Sequence, residues 1–260
     1  MVSSSSWSSA YVYTTDGGKK LFVKQSSNGG EGMFKGEALG LQAMYGSGLR
    51  GGEATFIIME HLNFSGRPSQ ADLGRKLAHM HLAEPSDENA RDGKFGFAVD
   101  NTIGGTPQPN GWLGDWVNFF RERRLRHQLS LANDKRLSEM GEQLMANLEQ
   151  LFEGVEVKPS LLHGDLWSGN ISAVEGGEWS ILDPATYYGH HEAEFGMQWC
   201  AGFTGDFWQA YHEVIPRSPG FEDRKQLYML YHYLNHYNLF GGGYRSSAES
   251  ILRQLTRKYA

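Results

Sequence analysis

The sequence predicts an α+β protein of two unequal lobes, a small β-rich lobe over residues 1–62 and a larger, mainly helical lobe over residues 63–260. Three observations predict it. Runs with strand character crowd the first sixty residues, and apolar spacings of three and four dominate afterwards. Between the helical runs, "LLHGDLWSGN" and "WSILDPA" place polar residues at the ends of short apolar strands. A chain of 260 residues also buries a substantial core, enough for one large domain or two small ones.

Each element follows from a local pattern. "AYVYTTDGGKKLFVKQ" is a hairpin whose turn is Asp16-Gly17-Gly18. "EGMFKGEALGLQAMYG" predicts a short helix from Met33, Leu41 and Met44, with Gly36 and Gly40 counting against it. "TFIIMEHL" reads as a buried strand, and Glu60 to Ser65 as a connector. Ser69 and Asp72 predict an acidic capping box, and the stripe Leu73, Leu77, His81 stops by Pro85. "DENARDGKFGFAVDNTIGGTPQPNG" reads as a long loop, a kind that is often functional in compact domains. "DWVNFFRERRLRHQL" is helical, and its basic run from Arg121 to His127 reads as a solvated face. In "DKRLSEMGEQLMANLEQLF" the residues Leu137, Met140, Leu144, Leu148 and Leu151 keep helical 3-4-4-3 spacing. A Trp- and Tyr-rich helical tail runs to Ala260.

Charge and cysteine content exclude several functions. Lys and Arg number 24 against 30 Asp and Glu, a net charge of −6. Nucleic acid and anionic membranes both need a concentrated basic surface, so neither is an expected partner. Cys200 is the single cysteine, which rules out an intramolecular disulfide and a Cys-rich zinc site. Its setting, "GMQWCAGF", predicts a buried, inert thiol. No apolar run approaches the roughly 20 residues of a membrane helix. "MVSSSSWSSA" has neither the apolar core of a secretory signal nor a long basic leader, so the expected location is cytoplasmic.

The chemistry sits in four features in chain order: Lys24 on a strand, Glu37 on the next helix, Asp165 with Asn170, and Asp183 at a strand end. Each alone has an ordinary reading, as a solvated lysine, a surface glutamate, a turn residue or a cap. Together they are the inventory for phosphoryl transfer from ATP. A strand lysine steadies the phosphates and is held by a helix glutamate; an aspartate takes the acceptor's proton; an asparagine and a second aspartate hold Mg²⁺. "HGDLWSGN" has the catalytic-loop spacing H-x-D-x-x-x-x-N, with Gly164 where protein kinases carry Arg.

"LLHGDLWSGN", "DPATYYGHHEAEF" and "LYMLYHYLNHYNLFGGGYRSSAESILRQL" resemble the fructosamine/ketosamine-3-kinase family, from about Tyr11 to the C-terminus. That family belongs to the aminoglycoside-phosphotransferase-like branch of the protein-kinase-like fold. Trp167 and the segment Gly189, His190, Glu192 separate it from aminoglycoside and choline kinases. The resemblance implies ATP-dependent, Mg²⁺-assisted phosphorylation of the 3-hydroxyl of a ketosamine, the adduct a sugar forms with an amine. Small ketosamines or glycated protein lysines would be the acceptors, and the outcome deglycation. It implies Asp165 as base, Asn170 and Asp183 as metal ligands, and Lys24 with Glu37 as phosphate clamp. It also implies Met59, Glu60 and Leu62 beside the adenine, and Trp167 with His236 at the sugar.

Two stretches depart from the family pattern. No glycine precedes Gly17, so Ser3 to Ser9 must supply the phosphate-covering turn, and "GSGLRGGEATF" lacks the usual following strand. Three alternatives follow: a nucleotide-binding pseudokinase with a defective phosphate loop, a related aminoglycoside- or choline-type kinase, and a metallohydrolase. The last would use the pairs His79/His81, His190/His191 and His232/His236. "HYLNH" lacks the glutamate of H-E-x-x-H, and His79 and His81 do not share a helix face.

Overall fold

The computed structural model describes residues 3–4, 8–26, 31–45 and 56–259. A four-stranded antiparallel sheet comes first: β1 (Ser3–Ser4), β2 (Ser9–Thr14), β3 (Lys20–Gln25) and, after helix α1 (Glu31–Tyr45), β4 (Phe56–Glu60). The β2–β3 hairpin turns where expected, with Gly18 at φ 80°. Strand β1 pairs Ser3 with Ala10 and Ser4 with Ser9. The centre of the serine-rich turn (residues 5–7) and the segment 46–55, where the short connection was noted, lie outside the described residues.

One sheet face carries Ala10, Phe22, Lys24, Ile57 and Met59 toward α1, where Phe34, Leu41 and Ile57 form a small core. Strand β4 is not buried on both faces as expected. Ile57 is buried, but Phe56 and Ile58 are 48% and 45% exposed, because a period-2 strand with one covered face must turn alternate residues outward. Helix α1 is fifteen residues long despite Gly36 and Gly40, which lie where other groups approach it closely.

The larger part begins with α2 (Gln70–Leu82) and the single turn α3 (Glu88–Arg91). The capping box is not made. Ser69 occupies the N-cap without a side-chain bond, and Asp72 instead pairs with Lys76 one turn on, at 3.1 Å. The expected long loop is ordered structure: α3 is capped by Asp87, and β5 (Asn101–Ile103) pairs with β6 (Thr106–Gln108). Its polar residues Asn101, Gln108 and Asn110 are buried and bonded to one another, which period-based reading cannot detect.

A continuous helical run follows, made of α4 (Trp116–Phe119), a π-helical stretch (Phe120–Arg126) and α5 (His127–Ala132). The basic run is solvated only in part. Arg121 and Arg126 pair with Glu149 and Glu142, whereas Arg124 is fully buried. Its guanidinium bonds the Pro109 carbonyl and Asn110 Oδ1, both at 2.7 Å, and lies 4.1 Å from the Tyr187 ring centre. Helix α6 (Lys135–Met145) ends before the leucine stripe does. Asn147, at φ −124° and ψ 17°, leaves the helical region, and Leu148–Phe152 continue as a 3₁₀ turn facing the same core.

Strands β7 (Ser160–Leu162) and β10 (Tyr187–Gly189) pair, as do β8 (Ile171–Val174) and β9 (Glu178–Ile181). They bracket the two polar motifs. The helices α7 (Gln198–Ala201), α8 (Gly205–Val214), α9 (Phe221–Phe240) and α10 (Arg245–Tyr259) complete the chain. The main core gathers α4 to α6, α9 and α10, and a second joins α2 to α8 and includes Leu166 of the catalytic loop. Burying each such leucine contributes roughly 1.5–3 kcal/mol, so the loop is fixed to the core by its own sequence. No helix among the described residues is long and apolar enough to cross a membrane.

Candidate active site

Strand β7 leads through His163 and Gly164 to Asp165, which lines a cleft of about 670 Å³. Gly164 has φ 82°, and a Cβ there would lie 2.3 Å from the Ala185 carbonyl oxygen; a side chain such as the protein-kinase arginine has no room. His163 joins the two motifs. Its Nε2–H donates to the Leu182 carbonyl (2.7 Å), and its Nδ1 accepts from the Asp165 N–H (3.2 Å). This neutral tautomer agrees with burial pressing the imidazole pKa below its ordinary value. The Asn170 amide donates to the Asp165 carbonyl at 2.9 Å and reaches Asp165 Oδ2 at 3.4 Å.

Asp165 is raised to about 7, first by burial and then by the negative charges of Asp183 and Glu194; the Asn170 bond opposes the rise. Across the cleft Lys24 Nζ donates to Glu37 at 2.6 Å and also to Asp183. Burial alone would lower the Lys24 pKa, but the two carboxylates outweigh it and hold the ammonium charged. Asp183 adopts φ 54°, a left-handed conformation uncommon outside glycine, and its side chain is 54% exposed. Its carboxylate bonds Lys24.

The five residues of the phosphoryl-transfer inventory are therefore brought together. Trp167 also lines the cleft and is 40% exposed. Its indole lies over Gly169, where a Cβ would come within 2.2 Å of the ring. Met59, Glu60, Leu62 and His236 fall outside the residues lining this cleft. Met59 packs on the small core, and Glu60 pairs with Leu21 at the end of β4. His236 donates from Nδ1 to the His232 carbonyl (2.8 Å) amid the rings of Trp199, Phe240 and Tyr244.

Sequence reasoning missed two groups. Glu194 receives the backbone N–H of His163 (2.7 Å) and of Gly164 (2.9 Å), and His81 Nε2 at 3.2 Å, so it fastens the catalytic loop from beneath. Burial pushes its carboxyl up, yet donation from His81 and the loop holds it below the ordinary range. Its only sequence signal was a second glutamate two residues after Glu192 in "GHHEAEF". The other group is the β5–β6 hairpin, which brings Asn101, Thr102 and Gly104 to the cleft wall.

Of the histidine pairs, His79 is exposed and His236 half-buried, while His81, His190 and His232 are buried in polar surroundings. His190, His191 and Glu192 place ligand atoms within 4.8 Å of one another. Glu192 is already occupied: both its oxygens accept from one edge of the Arg224 guanidinium, Nε and Nη2, at 2.7 and 2.8 Å. His190 and His191 bond the hydroxyls of Tyr228 (2.7 Å) and Tyr211 (3.0 Å). Burial lowers His190, and takes His191 and His232 down to about 3 each from 6.5. Cys200 is half-buried rather than buried, and burial raises its thiol pKa.

These neutral rings make the fold acid-sensitive. Between pH 6.5 and 3 the unfolded chain binds protons on His191 and His232 that the folded chain refuses. Stability is thus complete above 6.5 and falls as pH drops, by roughly 2 kcal/mol per ring at pH 5. Urea midpoints at pH 7 and pH 5 measure this, and His232→Gln should flatten the dependence by one proton. Equal midpoints at the two pH values would refute it.

A family model described as fructosamine kinase matches residues 1–258. The chain is 53% identical over 267 residues to a protein from Oryza sativa subsp. indica named "Protein-ribulosamine 3-kinase, chloroplastic", covering 96% of this chain and 76% of that protein. It is 36% identical over 286 residues to the "Ketosamine-3-kinase" of Mus musculus, covering 94% and 90%. The crystal structure of choline kinase LicA from Streptococcus pneumoniae superposes with a TM-score of 0.63 at 13% identity, covering 96% of this chain and 90% of that one, which supports the two-lobe kinase-like fold. The rice name overturns the cytoplasmic expectation. That expectation rested on "MVSSSSWSSA" alone, and the fold itself carries no address, since folds of cytosol and organelle meet the same aqueous solvent. With its catalytic loop, its lysine–glutamate pair and a match running nearly end to end, the chain belongs to the fructosamine kinase family.

Proposed function

We propose that the protein transfers the γ-phosphate of ATP to the 3-hydroxyl of a ketosamine, free or on a glycated protein lysine, and that the labile product makes this a deglycation step. The observation that carries the reading is a half-buried Asp165, raised to about 7, sharing one cleft with the Lys24–Glu37–Asp183 cluster. Such a carboxylate accepts a proton from the acceptor hydroxyl at neutral pH as that oxygen attacks the γ-phosphorus. The bond to the ADP oxygen breaks, and Lys24 steadies the charge on the phosphates. Asn170 and Asp183 suit Mg²⁺. Both offer hard oxygen donors beside the cleft, and the Asn170 nitrogen is already committed to the Asp165 carbonyl. Bound there, Mg²⁺ would neutralise phosphate charge.

The same reading makes residue 62 the lobe boundary. In support, β4 ends at Glu60 and Phe64 already bridges to Val174 of the larger lobe. Backbone around Met59, Glu60 and Leu62 then faces the adenine, and Trp167 and His236 the sugar. The rice relative's name supports a plastid as the site of action.

ATP consumption with fructosyl-lysine and ribulosyl-lysine, followed by phosphorus NMR of the product, tests the activity. Failure to phosphorylate either would sink it. Trp167→Phe and His236→Ala should each reduce kcat/KM for the ketosamine by about 5- to 150-fold, the loss of a stacking face or a neutral hydrogen bond, with KM for ATP nearly unchanged. A parallel rise in both KM values, with a large drop in Tm, would assign these two side chains to packing.

A further inference from the structure

Helix α1 carries Glu37, and through it the grip on Lys24, but a wall of the larger lobe sets its position. A Cβ on Gly36 would stand 2.5 Å from Asn101 Cβ and 3.3 Å from its Cα. One on Gly40, a turn later, would stand 2.5 Å from Thr186 Oγ1, a buried hydroxyl without a hydrogen-bond partner. Gly32 on the same helix meets nothing within 4 Å. Glycine is a poor helix former, so the two glycines mark contact with the wall rather than a local preference.

The wall is rigid because every polar group of Asn101 is committed. Its Nδ2 donates to the Thr186 carbonyl at 2.8 Å, and its Oδ1 accepts from Gln108 Nε2 and Asn110 Nδ2, both at 2.9 Å. Gln108 also donates to the Ala185 carbonyl (3.1 Å) and accepts the Tyr231 hydroxyl, and Arg124 bonds Asn110. Asn101, Gln108, Asn110, Arg124 and Thr186 are all buried. Ala185 and Thr186 lie two and three residues after Asp183, so one block fixes both the metal-aspartate segment and the helix bearing Glu37.

We infer that Asn101 is a positioning residue of the phosphate clamp: from the β5–β6 hairpin it holds α1 at the one distance that keeps Glu37 on Lys24. The clamp is then assembled in the resting protein, with no movement of α1 needed to switch it on. The inference rests on the phosphotransfer reading for the role of the clamp, and on the contacts alone for its geometry.

Calorimetric titration with Mg·ATP and steady-state kinetics, applied to the full chain and three variants, test it. Gly36→Ala pushes α1 off the wall without touching the cleft, and should weaken Mg·ATP binding and raise KM for ATP by about 10- to 100-fold, with little change in KM for the ketosamine. Gly32→Ala should bind as the parent does. Gly36→Ala combined with Asn101→Gly removes the colliding Cβ and should recover much of the loss. Should Gly36→Ala fail to fold, Asn101→Ala keeps the Cβ contact and deletes the three amide bonds, and should weaken Mg·ATP in the same direction. Parental Mg·ATP affinity in a folded Gly36→Ala or Asn101→Ala protein would overturn the inference. So would a Tm drop with unchanged KM for ATP, which is what a purely structural contact predicts. If the parent binds Mg·ATP yet phosphorylates no ketosamine, the proposed acceptor fails while the binding data still decide the role of Asn101.

Discussion

Asp165→Asn will lower kcat by about 10²–10⁴-fold while leaving the fold and Mg·ATP affinity close to parental. The change is nearly isosteric, and it removes proton acceptance from the one carboxylate that the catalytic loop holds in the cleft. Asp165 is raised to about 7 by burial and by Asp183 and Glu194, so a neutral amide relieves repulsion rather than adding it. Stability should therefore hold or rise slightly. Near-parental turnover in the purified variant would refute Asp165 as base. A sharp fall in Tm would assign it instead to holding Asn170 in place.

Asp183→Ala will abolish measurable turnover and weaken Mg·ATP far more than metal-free ATP. Groups that merely orient a metal ligand are worth about 10–100-fold in metal affinity, so loss of the ligand itself should exceed that. The substitution also leaves Lys24 with Glu37 as its remaining acidic partner, while alanine tolerates the φ of 54° less well than aspartate does. Freeing Lys24 from one carboxylate favours tighter or unchanged binding of nucleotide without metal, opposite in sign to the effect on Mg·ATP. Calorimetry with and without chelator separates the two, and equal losses would show that Asp183 is not a ligand.

The segment proposed as the catalytic loop was legible because its pattern is local. His163, Gly164, Asp165 and Asn170 lie within eight consecutive residues, and the bonds from the Asp165 N–H to His163 and from Asn170 to Asp165 close inside that span, while Leu182 and Glu194 hold it from outside. The hairpin at Asp16 and the helix bearing Glu37 were legible for the same reason, turn chemistry and apolar spacing being properties of neighbouring residues. Lys24, Glu37 and Asp183 were found by their order along the chain, not by any contact readable in it.

What stayed hidden rests on long-range partners. "RERRLRH" reads as solvated until Asn110, Pro109 and Tyr187 close around Arg124. Ser69 and Asp72 fit a capping box, yet Lys76 took the carboxylate. Gly36 and Gly40 looked like weak points of a helix and are its closest approaches to Asn101 and Thr186. Composition and motif by themselves determined the two-lobe class and singled out the residues of the phosphotransfer inventory, with Asp165 as the proposed base, since each is written in residue type and short spacing. Only the tertiary structure decided that Glu194 and His81 support the loop, that a loop-like stretch is a buried polar wall, and that Lys24 meets Glu37 and Asp183 together. A buried polar group is stable only where distant segments supply its partners, and such pairing leaves no periodic trace in the sequence.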